Sequence, residues 1–391
     1  MAESFEKLQP IPEENTPNNI AEDGILNRIT RESENPEILE QLSGMSQSTL
    51  QSLLIRLSKE KTKLKKPSDI LNEYENKSSF FRPSDFDQLS LLKLQELQLS
   101  HIEGFESIYT APIMPQGVNS VLTSLSQDAS LSTTRNSEVA GDPTMSLTIE
   151  SALRRKHNKD TVVNLATSQH VLRMQPFDKS KGYMQHFLLL GLCTAGKSTE
   201  RFEFIYSTLK KHIEAHLDIF IAMNEEGYHI NNIEVLLSDI SIIEQIINYK
   251  QADRKEINKN SLNQDFDLFK YLNVDLPDVI YDIGQVNDQK LEEAGILNKK
   301  STITKMDNGV SLPLREKYKN IKFGFELSRK AGLGYYDKNC FHIFGTNNKG
   351  ERIQLSDGGR VNWAAKLLTD RKELCVISGM GTELIHKLFK N

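Results

Sequence analysis

The sequence predicts an α+β protein: a mostly antiparallel sheet flanked by helices, with a helical N-terminal extension. Three observations carry that expectation. The last seventy residues hold an alternating run, Cys340-Phe341-His342-Ile343-Phe344, a glycine turn over 345–350 and a second run, Arg352-Ile353-Gln354-Leu355. Alternation on both sides of a turn reads as paired, half-buried strands. A strand at 171–175, a polar loop through Gly182 and a returning strand at Tyr183–Leu190 repeat the layout. Residues 36–62 and 89–103 instead space their apolar side chains at amphipathic-helix intervals.

The chain has 391 residues, enough for one large domain or two ordinary ones. Lys+Arg 48 against Asp+Glu 53 gives a net charge of −5, which does not suggest a non-specific nucleic-acid binder. No apolar run approaches the roughly 18 residues that span a bilayer. Met1-Ala-Glu-Ser lacks the basic and apolar regions of a signal peptide. Cys193, Cys340 and Cys375 are far apart, without a CxxC pair, so neither a disulfide framework nor a structural zinc site is expected. A cytoplasmic protein with no membrane partner is the plain expectation.

Residues 1–24 are acidic and proline-bearing, and are expected to form a flexible tail. Residues 25–85 form the helical extension, with Ser46 and Ser48 as N-cap candidates before Leu50, Leu53, Leu54 and Leu57. The basic run from Arg56 to Lys66 reads as a solvated face and linker, with an RNA or partner contact as the alternative. A helix at Leu89–Glu103 leads into Gly104–Pro112, a turn and a strand ending in proline. Thr133–Thr144 precedes a helix at Met145–Arg155, where Asp142 and Thr144 suit helix capping. A helix follows at Glu203–Leu217, where His212 and His216 make an HxxxH pair without a third ligand. They read as solvated, and no metal site is expected. Residues 231–248 read as strand then helix, and about 250–318 as an insertion. In the C-terminal stretch, Gly358-Gly359 allows positive φ or close backbone approach. Gly379 and Gly381 lie between the apolar run Leu374–Ile377 and a helix at Thr382–Phe389.

Gly191-Leu-Cys-Thr-Ala-Gly196-Lys197-Ser198 fits GxxxxGK[ST] between a strand and a helix, the context of a phosphate-cradling P-loop. The strand–helix alternation of such folds is missing upstream.

The order of three short blocks resembles a known family. They are Ala331-Gly332-Leu333-Gly334-Tyr335-Tyr336, Asp357-Gly358-Gly359-Arg360 and Gly379-Met380-Gly381-Thr382-Glu383-Leu384. Over roughly 86–391 the chain resembles the class II catalytic core of histidyl-tRNA synthetase, and equally the regulatory subunit of ATP phosphoribosyltransferase. That resemblance implies a six- or seven-stranded sheet and a homodimer through Leu89–Pro112. It implies Arg173 as the catalytic arginine, with Gln175, Arg360, Glu383, Gly379 and Gly381 beside it around a nucleotide. It implies Arg135, Asp142, Thr144, Leu189, Cys193, Tyr335 and Tyr336 around a substrate.

Several positions depart from the family's pattern. Leu189 and Cys193 replace the side chains that recognise histidine, and a buried imidazole left unpaired costs a few kcal/mol. Ala331 replaces a catalytic arginine, with Arg329 and Lys330 just upstream. His342 and Gln175 replace acidic residues. Leu384 replaces an arginine for the γ-phosphate, which an aliphatic group cannot mimic. No anticodon-binding domain is expected, so tRNA is not an expected partner. The first reading is a histidyl-tRNA synthetase paralogue, not competent in that reaction, that binds a small ligand or serves a partner protein in regulation. The second is a repurposed ligase that uses ATP and Mg²⁺ to form an acyl-adenylate from another carboxylate. The third is a P-loop nucleotide binder.

Overall fold

The structure, a computed structural model, describes residues 17–123, 126–174, 184–260 and 266–390. The chain divides into two compact units: Met1–Pro67 with Thr134–Asn136, and Ser68–Thr133 with Ser137–Asn391.

The first unit contains helices Pro17–Ser33, Ile38–Ser43 and Gln47–Lys63. Its first helix begins inside the expected flexible tail. Proline at the opening helical position explains the start, because its fixed φ suits the first turn and its missing N–H is an orphan there anyway. Ser46 caps the third helix, its Oγ accepting from the Thr49 N–H at 3.3 Å. Arg56 and Lys63 stay exposed and pair with Glu60 along the same helix.

The second unit is built on a sheet. Its strands are β1 (Glu106–Ser107), β2 (Ile113–Pro115), β3 (Ser137–Val139), β4 (Val163–Leu172), β5 (His186–Gly196) and β6 (Asn231–Asp239). The remainder are β7 (Val279–Ile280), β8 (Lys322–Glu326), β9 (Asn339–Thr346), β10 (Arg352–Val361) and β11 (Leu374–Gly381). Among the described residues, nine strands form one sheet in the order β1-β4-β5-β11-β10-β9-β6-β8-β7, and β2 pairs with β3 apart from it. Only β1–β4 and β6–β8 run parallel. The sheet exceeds the expected six or seven strands because the two-residue β1 and β7 and the short β8 extend its edges.

Helix Arg201–Glu225 covers one face, burying Leu209, Ile213, Leu217 and Phe220 in one cluster with Leu190, Leu192, Val376, Phe341 and Ile343. Helix Pro143–His157 belongs to the other, where Met145 and Leu147 cluster with Cys193, Ile377 and Trp363. Cover on both faces buries β9 almost throughout, not alternately as expected. Fully burying each such apolar side chain contributes ~1.5–3 kcal/mol.

The described residues of about 250–318 fold mainly as short helices. Ile257, Phe269, Leu291, Ile303 and Val310 join the cluster of helix Arg201–Glu225, while β7 pairs with β8.

The P-loop expectation fails. Gly191–Gly196 are ladder residues of β5, paired with β11 throughout and with β4 as far as Ala195. Their N–H groups serve a sheet and cannot curl around a phosphate. Lys197 Nζ lies 2.6 Å from Asp370 Oδ2 and 3.3 Å from Glu373 Oε1.

His212 and His216 are also corrected, for both are fully buried. His212 bonds Thr194 Oγ1 through Nε2 at 3.0 Å and Ser378 Oγ through Nδ1 at 2.8 Å. His216 Nε2 meets the same Ser378 Oγ at 2.9 Å. Sheet hydroxyls take the place of the expected water.

Candidate functional site

The ladder registers set one row of residues across the sheet: Gly191 on β5 opposite Gly379 on β11, then Asp357 on β10 and His342 on β9. Two adjacent glycines leave a depression on the face that carries helix Pro143–His157. Above Gly191 the first turn of that helix fills the space, since a Cβ there would lie 2.8 Å from Pro143 Cγ. Above Gly379 the space stays open, its nearest such neighbour being Leu190 O at 3.7 Å. The result is a cleft of about 710 Å³ reaching from Asp142, Thr144 and Arg173 to Tyr335, Tyr336 and Asp357.

The polar end of the cleft is built by a helix start. Asp142 is the N-cap of Pro143–His157, its Oδ1 accepting from the Thr144 N–H at 2.9 Å and from Thr144 Oγ1 at 2.7 Å. Its Oδ2 accepts from the Tyr335 hydroxyl at 3.2 Å and lies 3.6 Å from Arg173 Nη2. Arg173 Nε donates to Gly141 O at 2.8 Å, and the guanidinium lies 5.3 Å from the Phe187 ring centroid. The cation is thus aimed by one backbone carbonyl while its side chain stays 32% exposed.

The other end is a titratable chain. Tyr336 donates its hydroxyl hydrogen to Asp357 Oδ1, and Arg329 Nη2 lies 3.4 Å from Asp357 Oδ2. His342 Nε2 is 3.5 Å from that same oxygen, and its Nδ1 is 3.1 Å from Glu326 Oε2. Burial pushes the Asp357 carboxyl up to about 6, against the pull of Arg329. Burial also pushes His342 down to about 4, helped by Arg329. For Glu326, burial acts upward but the His342 hydrogen bond keeps it below the ordinary glutamate value. Two carboxylates flanking one neutral imidazole can hold or pass a proton at the cleft floor.

Tyr335 stands edge-on to both Tyr336 and Trp363, ring centroids 5.1 Å apart in each case, which fixes the cleft wall. Gly359 seats Tyr336, since a Cβ there would come within 2.8 Å of its ring. Gly358 and Gly359 therefore serve close approach, and neither takes a positive φ.

Of the residues singled out from sequence, Asp142, Thr144, Arg173, Leu189, Tyr335, Tyr336, Gly379 and Gly381 meet at this cleft. Glu383 lies beyond Leu384, its Oε1 accepting from the Leu188 N–H at 3.0 Å, and burial raises its carboxyl to about 6. Three others do not line the cleft. Cys193 is fully buried beside the cleft under helix Pro143–His157, its Sγ 3.6 Å from the Thr148 and Ser151 hydroxyls. Arg360 ties to Asp337 at 2.8 Å, and Arg135 belongs to the first compact unit. Gln175 lies outside the described residues. Sequence reasoning gave Asp357, Glu326 and Gln354 no role, and His342 stood only as a departure from a family pattern. Arg329, named there as a stand-in for the missing arginine, is 1% exposed and serves Asp357 from a buried position against the Tyr336 ring. No group of three metal-ligating side chains occurs among the described residues, nor is any helix there long and apolar enough to cross a membrane.

A mixed α+β core with this sheet, these helices and a cleft at the glycine row is a class II synthetase-like fold. Solved structures that share it include ones of histidyl-tRNA synthetase and of its regulatory relative. An ATP phosphoribosyltransferase regulatory subunit/histidyl-tRNA synthetase from Bacillus halodurans aligns at TM-score 0.58 and 16% identity, covering 79% of this chain and 82% of that one. A histidine–tRNA ligase subunit from Alicyclobacillus acidocaldarius aligns at 0.56 and 12%, covering 78% and 94%. Histidyl-tRNA synthetase from Nostoc aligns at 0.54 and 16%, covering 78% and 73%. At such identities the likeness is one of fold. No family model and no curated protein matches the sequence.

Proposed function

We propose that this chain is a histidyl-tRNA synthetase-like protein without histidyl-tRNA synthetase activity, whose cleft binds a small ligand in a regulatory or partner-binding role. The observation that carries the reading is the survival of Asp142, Thr144 and Arg173 around an open cleft whose far wall is the aliphatic Leu384. An amine fits against Asp142 Oδ2, whose other oxygen Thr144 holds, and Arg173 suits a carbonyl or carboxylate oxygen beside it. A triphosphate finds no guanidinium at Leu384. Histidine recognition is disfavoured by Leu189 on the wall and by Cys193, buried under helix Pro143–His157. One of the solved structures with this fold is described as a regulatory subunit, which supports a partner protein.

A second reading keeps catalysis: Arg173 would hold an acyl-adenylate formed with ATP and Mg²⁺ from a carboxylate other than histidine. Self-association through Leu89–Pro112 belongs to the proposal, supported by Tyr109 at 99% exposure and Leu89 and Leu92 at 59% and 53%. A cytoplasmic location is proposed with it.

Calorimetry with the twenty amino acids and with Mg·ATP tests the reading. Binding of one amino acid or amine, weakened at least tenfold by Asp142→Asn, is expected. Pyrophosphate exchange dependent on histidine would overturn it; exchange dependent on another carboxylate would establish the second reading.

A further inference from the structure

The first compact unit lacks an interior. Among the described side chains of residues 24–67 none is fully buried. Helices of this length gain most of their stability by packing an apolar face, so a helical unit that buries nothing is incomplete by itself. Its apolar side chains meet water instead: Ile25, Ile29, Leu39 and Leu57 are 42–56% exposed and Leu64 is 79% exposed.

Charge is sorted along the same stretch. Residues 32–40 hold four glutamates and no cation, whereas 56–66 hold six cations against Glu60 alone, and all of these side chains are exposed. On helix Pro17–Ser33, the i, i+4, i+7 spacing puts Ile25, Ile29 and Glu32 on one face. At the end of helix Gln47–Lys63, the same spacing aligns Leu57, Lys61 and Leu64, the last being the C-cap. Each face is therefore apolar with one sign of charge, and the two signs are opposite. Within one chain these charges do not meet. Arg56 and Lys63 pair with Glu60 of their own helix, and among the described residues Glu32, Glu34 and Glu40 form no ion pair with Lys59 or Lys61.

We infer that the helical extension is a self-association surface whose occupant is a second copy of this chain, the acidic stretch 32–40 of each copy lying against the basic stretch 56–66 of the other. Two patches of opposite sign on one chain are complementary to themselves about a two-fold axis, because each copy gives and receives the same contact and the pair closes. A different partner would have to carry both signs in matching order. Charge sets the pairing and its rate, while covering Ile25, Ile29, Leu57 and Leu64 supplies the affinity. The surface is distinct in sequence from Leu89–Pro112, and the inference does not rest on the small-ligand reading.

Zero-length carbodiimide cross-linking of the full chain tests it, since the reagent joins a carboxylate to an amine only where they touch. Peptide mapping of the cross-linked dimer band is expected to find links between 32–40 and 56–66 that the monomer band lacks. At 1 M salt, where screening reaches within ~3 Å, those links should fall at least fivefold relative to 0.05 M. A triple variant Lys59→Glu, Lys61→Glu, Lys63→Glu should lose them at least fivefold, and so should Glu32→Lys, Glu34→Lys, Glu40→Lys. Co-expression of the two variants should restore them, because every contact is then matched again with its signs exchanged. The same charge change at the exposed Lys319, Lys349 and Lys372 should leave the links unchanged. Far-UV circular dichroism equal to wild type shows that a lost link is not a lost helix, and the salt dependence needs no variant. Links confined to the monomer band, links indifferent to salt, or a co-expressed pair that fails to recover them would overturn the inference.

Discussion

Two histidine-bearing polar clusters lie on opposite faces of the same sheet, one on β5 and β11, the other on β8, β9 and β10. On the helix Arg201–Glu225 face, His212, His216, Thr194 and Ser378 form a sealed node in an apolar layer. On the other face, Glu326 and His342 connect to Asp357 and Tyr336, which open onto a cleft. Adjacent residues of β11, Ser378 and Gly379, serve one cluster each. The difference is access. In the sealed node hydroxyls replace water, whereas Asp357 keeps 30% of its side chain exposed. Buried polar groups are costly in both places, but only the second is placed where a ligand can alter them.

Breaking the sealed node should have the largest effect. Ser378→Val leaves His212 Nδ1 and His216 Nε2 without their shared partner. An unsatisfied buried polar group costs ~1–3 kcal/mol, so a loss of roughly 2–5 kcal/mol in urea unfolding is expected. If stability stays within measurement error, water has access to the node and the contrast between the faces collapses.

Acid should sharpen the same contrast. Burial pushes His216 down to about 3 and His212 well below the usual histidine value, the charges of His216 and Lys211 adding to the latter. The unfolded chain therefore binds more protons over this range. Stability is full above about pH 6.5 and falls as pH drops toward 3, by up to ~1.4 kcal/mol per pH unit for each histidine. Denaturant titrations across pH 7 to 4 should show that slope, and a His216→Gln variant should show a shallower one.

The open cluster predicts a smaller, ligand-linked response. Asp357 charges near pH 6, so a cationic amine in the cleft should bind about threefold to tenfold more weakly at pH 5 than at pH 7.5, the scale of one exposed-to-half-buried charge contact. In Asp357→Asn the pH dependence near 6 should vanish. An unchanged profile would mean that Asp357 faces the protein and not the ligand.

The unequal legibility of the two faces follows from their construction. Helix Thr382–Phe389 and the Asp142–Thr144 helix start are local features, and capping chemistry and periodicity locate them in sequence. The pairing of Asp357 with His342 and Gly379 is set by register between strands, which a single strand's residues do not state. His212 and His216 lie among Lys211, Glu214 and Asp218 and so look solvated. Yet they fall on the stripe of Ile205, Leu209, Ile213, Leu217 and Phe220, and that periodicity was the available sign of burial. The GxxxxGK[ST] match failed because a motif states spacing and not backbone conformation. Its glycines answer to packing, one under Pro143 and one against Phe204.

Lys197 gives the smallest effect and the cleanest control on that last point. A P-loop lysine is the cation a bound phosphate requires, so its loss would abolish nucleotide binding. Here Lys197 is raised above the ordinary lysine value chiefly by its hydrogen bond to Asp370, and then by Glu373. Glu373 is itself held by Arg155, both side chains almost wholly buried, so removing Lys197 strands no buried charge. Lys197→Ala should leave binding of every ligand to the cleft unchanged and lower the melting temperature less than Ser378→Val does. A selective loss of Mg·ATP binding in this variant would mean that the end of β5 leaves the ladder to take a phosphate. The contrast would then lie between two ends of one strand, not between two faces of a sheet.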